Sequence, residues 1–242
     1  MISTNATNTH FRIAVVIPAF NEDENLPSLI AELRQINHPD FQLIPVVVND
    51  CSKDETALVA RNLKVDLIDL PVNLGIGGAV QSGMIYAYES GFQYAMQLDG
   101  DGQHPPSEIH KLVAAMKKSD FSVVIGSRFI ESDGFQSSSL RRAGIHYLKW
   151  VIKILTGLQI TDATSGLRLY NRSALAAIAA YYPDEYPEPE AIIYFHKKKL
   201  SIGETPVIMR HRQAGKSSIS FINSIYYFWK VSLAIIYAYL KV

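Results

Sequence analysis

Cysteine is almost absent from this chain of 242 residues, in which Cys51 is the only one. A single cysteine excludes an internal disulfide and is typical of a protein in a reducing compartment. The first residues, MISTNATNTHFR, also lack the basic start and apolar run of a secretory signal peptide. These absences predict a cytoplasmic protein that depends on a buried core, which a chain of this length can form.

Net charge is also absent, because 23 acidic residues balance 23 basic ones. The charges are unevenly spread: residues 1–139 contain 17 acidic and 9 basic residues, whereas residues 140–242 contain 6 acidic and 14 basic residues. This division favours a first part that attracts a metal ion and a second part that attracts an anion. The alternative is a chance separation of charges on solvated faces.

No apolar run in the sequence is a clear membrane span. Residues 221–242 come closest in length, but they are rich in Tyr and Trp, with Lys230 in the middle and Lys241 near the end. Aromatic rings and lysines prefer the headgroup zone, so this segment is predicted to be a helix at a membrane interface. The alternative is a helix packed on the domain or on a second copy of the chain, as in a homo-oligomer.

Short β-rich runs alternate with segments of helical periodicity over the first half of the chain. Five such runs are predicted to be strands: 13–17, 43–49, 65–70, 94–98 and 122–128. The alternation predicts an α/β fold with a mostly parallel central sheet flanked by helices.

Charged and hydroxyl side chains come just after the first, second and fourth strands: Glu22, Asp50 with Ser52, and Asp99 with Asp101. Ligands of parallel sheets bind beyond the carboxyl ends of the strands, so these residues are expected to line one crevice. The carboxylates of Asp99 and Asp101 are one residue apart and repel each other unless a cation lies near. The pair therefore predicts a site for Mg²⁺ or Mn²⁺, which prefer oxygen ligands.

The glycine-rich stretch NLGIGGAV (73–80) follows the third strand. Its position and its glycine spacing exclude a dinucleotide-binding fingerprint. It is predicted to be a turn that opens a helix. Two roles stay open: backbone N–H groups that bind a phosphate, or a tight turn alone.

Seven motifs follow one another within residues 13–218: VVIPAFNEDENL, VVVNDCSKDET, NLGIGGAVQSG, LDGDGQHPP, VIGSRF, DATSGLRLY and YPEPE. In these motifs the chain resembles the family 2 glycosyltransferases, above all their dolichyl- and polyprenyl-phosphate sugar synthase branch. The resemblance implies a single nucleotide-sugar-binding domain of the GT-A type, expected over residues 1–218, followed by a C-terminal aromatic helix at 219–242. It also argues against nucleic-acid binding, because the basic residues belong to a site for sugar transfer.

The resemblance implies roles for individual residues. It assigns the donor nucleotide and its diphosphate to Pro18, Phe20, Glu22, Asp50, Ser52, Arg212 and Lys216. It assigns the metal ion to Asp99, Asp101 and Gln103, the acceptor phosphate to Arg128 and Arg142, and the shape of the acceptor side to Asp162, Ser165 and Gly166. Two positions depart from the family pattern: NDCS stands where DDGS or DDSS is usual, and Gly100 stands where alanine is usual.

The implied reaction is direct displacement, with inversion, at the anomeric carbon of a UDP- or GDP-sugar. A polyprenyl phosphate acceptor is already ionised and needs no general base. A sugar hydroxyl needs a carboxylate to take its proton, and the candidate is Glu190 or, as second choice, Glu188. Transfer to a lipid phosphate and transfer to a sugar hydroxyl are thus two hypotheses, and the third is a catalytically silent binding module. The basic second part and the aromatic C-terminus favour the lipid phosphate and a peripheral position at the cytoplasmic face of the membrane.

Overall fold

The computed structural model describes residues 11–131, 139–210 and 221–241. Within these residues the strands are β1 (Phe11–Ala19), β2 (Phe41–Asn49), β3 (Asp66–Asp69), β4 (Tyr94–Gln97), β5 (Val123–Ser127), β6 (Arg168–Asn171) and β7 (Ile202–Pro206). The helices are α1 (Leu26–Gln35), α2 (Thr56–Asn62), α3 (Gly75–Glu89), α4 (Ile109–Ser119), α5 (Ser139–Thr156), α6 (Arg172–Ala180), α7 (Pro187–Lys197) and α8 (Phe221–Lys241).

The strands form one sheet in the order β3-β2-β1-β4-β6-β5-β7. Neighbouring strands are parallel except at β6, which runs antiparallel to both β4 and β5. β1 lies inside the sheet, and residues 13–17 are fully buried because helices cover both faces. The predicted α/β fold with a mostly parallel sheet is confirmed.

The core has one part on each face of the sheet. Along β1, Ala14 and Val16 belong to one cluster, whereas Ile13, Val15 and Ile17 belong to the other. This division follows from the two-residue period of a strand. The first cluster is covered by α3, α5, α6, α7 and α8, and the second by α1, α2 and α4. The domain is therefore a sheet between two helical layers.

All five predicted strands are present, but β6 and β7 were not predicted. β6 is only four residues long and begins with Arg168, and β7 has the sequence IGETP, so neither shows a clear apolar alternation. The predicted C-terminal helix is α8, which packs against α5 and α7. Across the described residues, no helix combines the length and the apolar character that crossing a bilayer requires. The boundary between 1–218 and 219–242 stays a prediction.

Candidate active site

The carboxyl ends of β1, β2 and β4 lie side by side, because β1 pairs with β2 on one side and with β4 on the other. Two backbone hydrogen bonds hold these ends together. The Asp50 N–H donates to the Ala19 carbonyl at 2.9 Å, and the Leu98 N–H donates to the Val16 carbonyl at 3.0 Å. The residues that follow the three strands therefore meet at one edge of the sheet, which is the candidate active site.

Asp50 connects the end of β2 to the glycine-rich turn. Its side chain is buried, and its Oδ1 accepts a hydrogen bond of 2.6 Å from the Leu74 N–H, directly before α3. The Asn73 Nδ2 donates to the Asp50 carbonyl at 3.0 Å. The carboxylate of Asp50, predicted to bind the donor nucleotide, thus has a fixed position beside the turn.

The loops after β1 and β2 are tied to each other by side chains. The Asn21 N–H donates to the Ser52 Oγ at 3.0 Å, and the Glu22 N–H donates to the Thr56 Oγ1 at 2.9 Å. Phe20, between Pro18 and these contacts, leaves 46% of its surface exposed. An exposed aromatic ring at this edge offers a flat apolar surface to a nucleotide base.

The D-G-D motif packs against the end of β1. Gly100 lies so close that a Cβ added there would be 3.2 Å from the Pro18 carbonyl oxygen and 3.6 Å from the Glu22 Cγ. Asp99 and Asp101 are both partly exposed, and the Asp101 Oδ1 accepts a hydrogen bond of 3.1 Å from the Gln103 N–H. The two aspartates therefore lie beside the predicted nucleotide-binding residues.

The chemistry of Asp99, Asp101 and Gln103 fits a hard divalent cation, because all three side chains offer oxygen ligands. In the part of the chain that the structure describes, no three His, Cys, Asp or Glu side chains converge on a metal position. Mg²⁺ commonly binds one or two carboxylates and takes its other ligands from water and substrate phosphates. The aspartate pair matches the protein's share of such a site, and its binding of a metal ion stays a prediction.

Gly166 brings the loop before β6 to the first aspartate. A Cβ added at Gly166 would be 2.4 Å from the Asp99 Oδ2 and 2.7 Å from its Oδ1, distances that real Cβ atoms essentially never show. The predicted acceptor-side segment therefore lies directly against the predicted metal-binding residue. Only a residue without a side chain fits between them.

Gln97, the last residue of β4, contacts Asp99 and was not predicted from the sequence. It is fully buried, and its Nε2 lies 3.3 Å from both the Asp99 Oδ1 and the Glu188 Oε1. One amide thus links the first aspartate of the D-G-D motif to the first turn of α7. The sequence feature that could have identified Gln97 is a glutamine at the end of an otherwise apolar strand.

Arg168 adds a buried positive charge near these carboxylates. Its Nε donates to the Ser165 carbonyl at 2.8 Å and its Nη2 donates to the Ala163 carbonyl at 2.9 Å. Its Nη1 is buried and has no hydrogen-bond partner among the described residues. Burial raises the pKa of Glu188, and the charge of Arg168 opposes that rise. No role was predicted for Arg168 from the sequence either.

The two candidate bases of α7 lie on different sides of the helix. Glu188 contacts Gln97 near Asp99, whereas the charged neighbours of Glu190 are Asp184 and Glu185. Burial raises the pKa of Glu190 to about 7, and the charges of these two neighbours add to the rise. The structure thus brings the second choice, Glu188, to the aspartates and places the first choice, Glu190, next to the 184–186 loop.

Arg128 forms a buried ion pair with Asp162. Its Nε and Nη2 donate to the two carboxylate oxygens at 2.6 Å each, and Nη2 also lies 2.9 Å from the Thr164 Oγ1. Burial opposes the charge of Arg128, but the hydrogen bonds and charge of Asp162 outweigh it and raise the pKa of the guanidinium. Arg128, which is predicted to bind the acceptor phosphate, is thus paired with a protein carboxylate. Arg142 is exposed near the start of α5.

His104, close behind the D-G-D motif, is buried beside the same charges. Burial lowers the pKa of His104 to about 4, the charge of Arg128 adds to the lowering, and Asp101 and Asp162 oppose it. The imidazole is therefore neutral at pH 7. Its Nδ1 has no hydrogen-bond partner in the described ranges. No role was predicted for His104 from the sequence, although its position three residues after Asp101 could have indicated one.

The comparison with known proteins agrees with this arrangement. The family model described as glycosyl transferase family 2 matches residues 14–179, which is more than half of the chain. The chain belongs to glycosyl transferase family 2. A similar protein is the UDP-N-acetylglucosamine–dolichyl-phosphate N-acetylglucosaminyltransferase of Methanococcus voltae, 31% identical over 215 residues that cover 81% of this chain and 84% of that one. The undecaprenyl-phosphate mannosyltransferase of Micrococcus luteus is 29% identical over 219 residues, covering 86% and 88%.

Solved structures show the same fold. Glucosyl-3-phosphoglycerate synthase from Mycobacterium tuberculosis, in complex with Mn²⁺, UDP and glucosyl-3-phosphoglycerate, superimposes with a TM-score of 0.68. It is 17% identical, and the match covers 95% of this chain and 80% of that one. The predicted glycosyltransferase fold is confirmed, and this family 2 member is a glycosyltransferase.

Two residues of the predicted glycosyltransferase site, Arg212 and Lys216, lie outside the described residues. The segment that leads to them is described as far as Arg210, whose N–H donates to the Gln103 carbonyl at 2.8 Å. Arg210 therefore lies beside the D-G-D motif. This position is compatible with the predicted contact of Arg212 and Lys216 with a donor diphosphate, which stays a prediction.

We expect Gly166→Ala to lower the sugar-transfer rate of this glycosyltransferase by about 10- to 100-fold, because displacing a catalytic group by an ångström has effects of this size. The new methyl group would push the Asp99 carboxylate away from its position. Gly100→Ala is the matched control, since its nearest neighbour at 3.2 Å needs to give way by only a few tenths of an ångström. Initial rates and thermal unfolding of both variants provide the measurement. Equal rates for Gly166→Ala and the wild type would contradict the prediction.

We expect Glu190→Gln to stabilise the protein above pH 7 and to have no such effect below pH 4.5. Burial raises the pKa of Glu190 from 4.5 to about 7, so the folded state binds more protons than the unfolded chain between these values. The free energy of unfolding of the wild type therefore falls as the pH rises through this window, by about 3 kcal/mol at most. Thermal unfolding at several pH values measures the effect. The exposed Glu89→Gln, at the end of α3, is the control, and an unchanged pH profile in Glu190→Gln would overturn the expectation.

Proposed function

We propose that this glycosyltransferase moves a sugar from a UDP- or GDP-sugar to a polyprenyl phosphate, by a single displacement that inverts the anomeric carbon. The observation that carries the proposal is the meeting of Asp99 and Asp101 with Asp50 and Glu22 around the end of β1. Relatives over most of the chain are named as dolichyl- or undecaprenyl-phosphate sugar transferases, which supports this acceptor.

The donor diphosphate would be bound at the D-G-D motif. Similar folds have been solved with Mn²⁺ and UDP or with Mg²⁺ and UDP, which supports a divalent cation held by Asp99, Asp101 and Gln103. When bound, such an ion supplies Lewis-acid stabilisation to the departing nucleoside diphosphate. Gln97 and Gly166 keep the Asp99 carboxylate in place. Arg212 and Lys216 are proposed to add positive charge to the donor diphosphate.

The acceptor phosphate needs positioning rather than deprotonation. The second pKa of a phosphate monoester is about 6, so its oxygen is already a nucleophile at neutral pH. Arg142 is proposed to attract it, since this side chain is exposed at the start of α5. Arg128 is proposed to act by holding Asp162, and with it the loop that carries Gly166. A polyprenyl phosphate lies in a bilayer, so we propose that the protein works at the membrane surface, and the cytoplasmic face stays a prediction from the sequence.

A second candidate function is transfer to a sugar hydroxyl, and the contacts of Glu188 favour it. This carboxylate shares Gln97 with Asp99, and burial raises its pKa. A base with a raised pKa near the reacting centre suits proton removal from a hydroxyl. Glu190, our first choice as base, lacks such contacts among those described.

The test is to incubate the protein with a panel of UDP- and GDP-sugars in the presence of Mg²⁺ or Mn²⁺. Undecaprenyl phosphate, dolichyl phosphate or free sugars are added as acceptors, and mass spectrometry detects the glycolipid. We expect a glycosyl phospholipid. Glu188→Gln separates the two acceptors. With a phosphate acceptor, its rate should stay within about tenfold of the wild type, whereas loss of a general base costs about 10²- to 10⁴-fold. A product found only with free sugars would refute the lipid acceptor.

A further inference from the structure

The outer face of α5 is apolar and aromatic. Leu148, Val151 and Ile152 of this helix are buried, whereas Tyr147, Trp150 and Ile154 leave 44%, 61% and 61% of their surfaces exposed. The three exposed residues are three and four positions apart and therefore share one side of the helix. A helix that buries one apolar stripe and exposes a second one presents an apolar surface to solvent.

The outer face of α8 repeats this arrangement. Val231 and Ile235 are fully buried, and the exposed residues recur at helical spacing: Trp229, Leu233, Ile236, Tyr237 and Leu240. α8 packs against α5, and the buried sides of both helices belong to the same core cluster. Their opposite sides therefore face solvent on the same side of the domain. We name these exposed apolar residues of the two helices the α5–α8 face.

The charge of the two helices indicates what this face contacts. Residues 139–156 and 221–241 contain no Asp or Glu, and Lys149, Lys153 and Arg142 lie on α5. Two copies of this face would bring cations together without any carboxylate from either helix, which opposes self-association. An anionic lipid surface attracts the same cations. Exposed Trp and Tyr rings beside apolar side chains are typical of a surface that enters the headgroup region.

We propose that the α5–α8 face docks the protein on an anionic lipid bilayer, with both helices in the headgroup zone. The inference deepens the proposed function, because it orients the domain on the membrane that would hold the lipid acceptor. It differs from the sequence prediction, in which residues 221–242 alone lie at the interface. Binding to the bilayer requires no turnover, so the docking face and the proposed reaction can be tested separately.

The two tryptophans of the chain make the test direct, since Trp150 reports on α5 and Trp229 on α8. The full chain and its single-tryptophan variants Trp150→Phe and Trp229→Phe are titrated with vesicles of phosphatidylcholine, with and without phosphatidylglycerol. We expect a blue shift and protection from iodide quenching in both variants, stronger with the anionic lipid and weakened by salt. A response from Trp229 without one from Trp150 would overturn the two-helix proposal.

Substitutions in α5 give a second test of the docking face. The double variant Trp150→Gln/Ile154→Gln should reduce vesicle partitioning by at least about tenfold, which corresponds to about 1.4 kcal/mol. Leu58→Gln, at an exposed apolar residue of α2, is the control and should bind as the wild type does. Vesicle binding without any sugar transfer would leave the docking face standing and reject the proposed function. A doubled mass in light scattering, with no vesicle binding, would reject the docking face in favour of a second copy.

Discussion

Asp101→Asn is expected to abolish cation-dependent sugar transfer, with a rate at least about 100-fold below the wild type, because stabilisation of a leaving diphosphate amounts to several kcal/mol. The substitution removes the negative charge of one of the two carboxylates of the D-G-D motif and keeps the shape of the side chain. The asparagine Oδ1 can still accept the hydrogen bond that the Gln103 N–H donates at 3.1 Å. Stability should therefore change little, and the loss should be specific to the reaction.

Three measurements test this expectation: the initial rate, the melting temperature and the Mn²⁺-dependent affinity for UDP and GDP. Asp120→Asn is the matched control, since Asp120 is exposed at the end of α4 with a φ of 50°, which asparagine adopts readily. Wild-type rates in Asp101→Asn would refute the role of the D-G-D motif.

The features that the sequence predicts correctly are the local ones. Residues 13–17 form a buried strand because their apolar run is continuous, and the polar residues after β1, β2 and β4 meet because parallel strands end at the same edge. The D-G-D motif was predicted to belong to the site by the same rule, because it follows β4. Each of these inferences needs only a short segment and a general rule of sheet topology.

The features that were missed depend on distant partners. Gln97 meets Glu188 across 91 positions, and Arg128 meets Asp162 across 34, so neither contact leaves a periodic signal. The choice between Glu188 and Glu190 depends on the rotation of α7, which begins at Pro187. A pattern such as YPEPE identifies two carboxylates in a first helical turn but not the one that faces the site.

Asp162→Asn is expected to lower the free energy of unfolding by about 3–5 kcal/mol, the usual effect of breaking a buried ion pair by removing one partner. The side chains of Arg128 and Asp162 are 6% and 0% exposed, so the guanidinium would keep its charge where water cannot solvate it. An asparagine also turns an N–H group toward one of the two guanidinium nitrogens. For a domain of this size, the melting temperature should fall by about 6–20 °C.

Urea and thermal unfolding measure this effect, and Asp40→Asn is the matched control. Asp40 forms an ion pair with Lys117 in which the side chains are 47% and 42% exposed, and such pairs contribute about 0–1 kcal/mol. The result also decides what Arg128 does. If Arg128 served chiefly to bind the acceptor phosphate, Asp162→Asn would leave stability within about 1 kcal/mol and change only the acceptor KM. The bidentate geometry at 2.6 Å, with the backbone N–H of Arg128 also donating to Asp162, favours the large loss of stability.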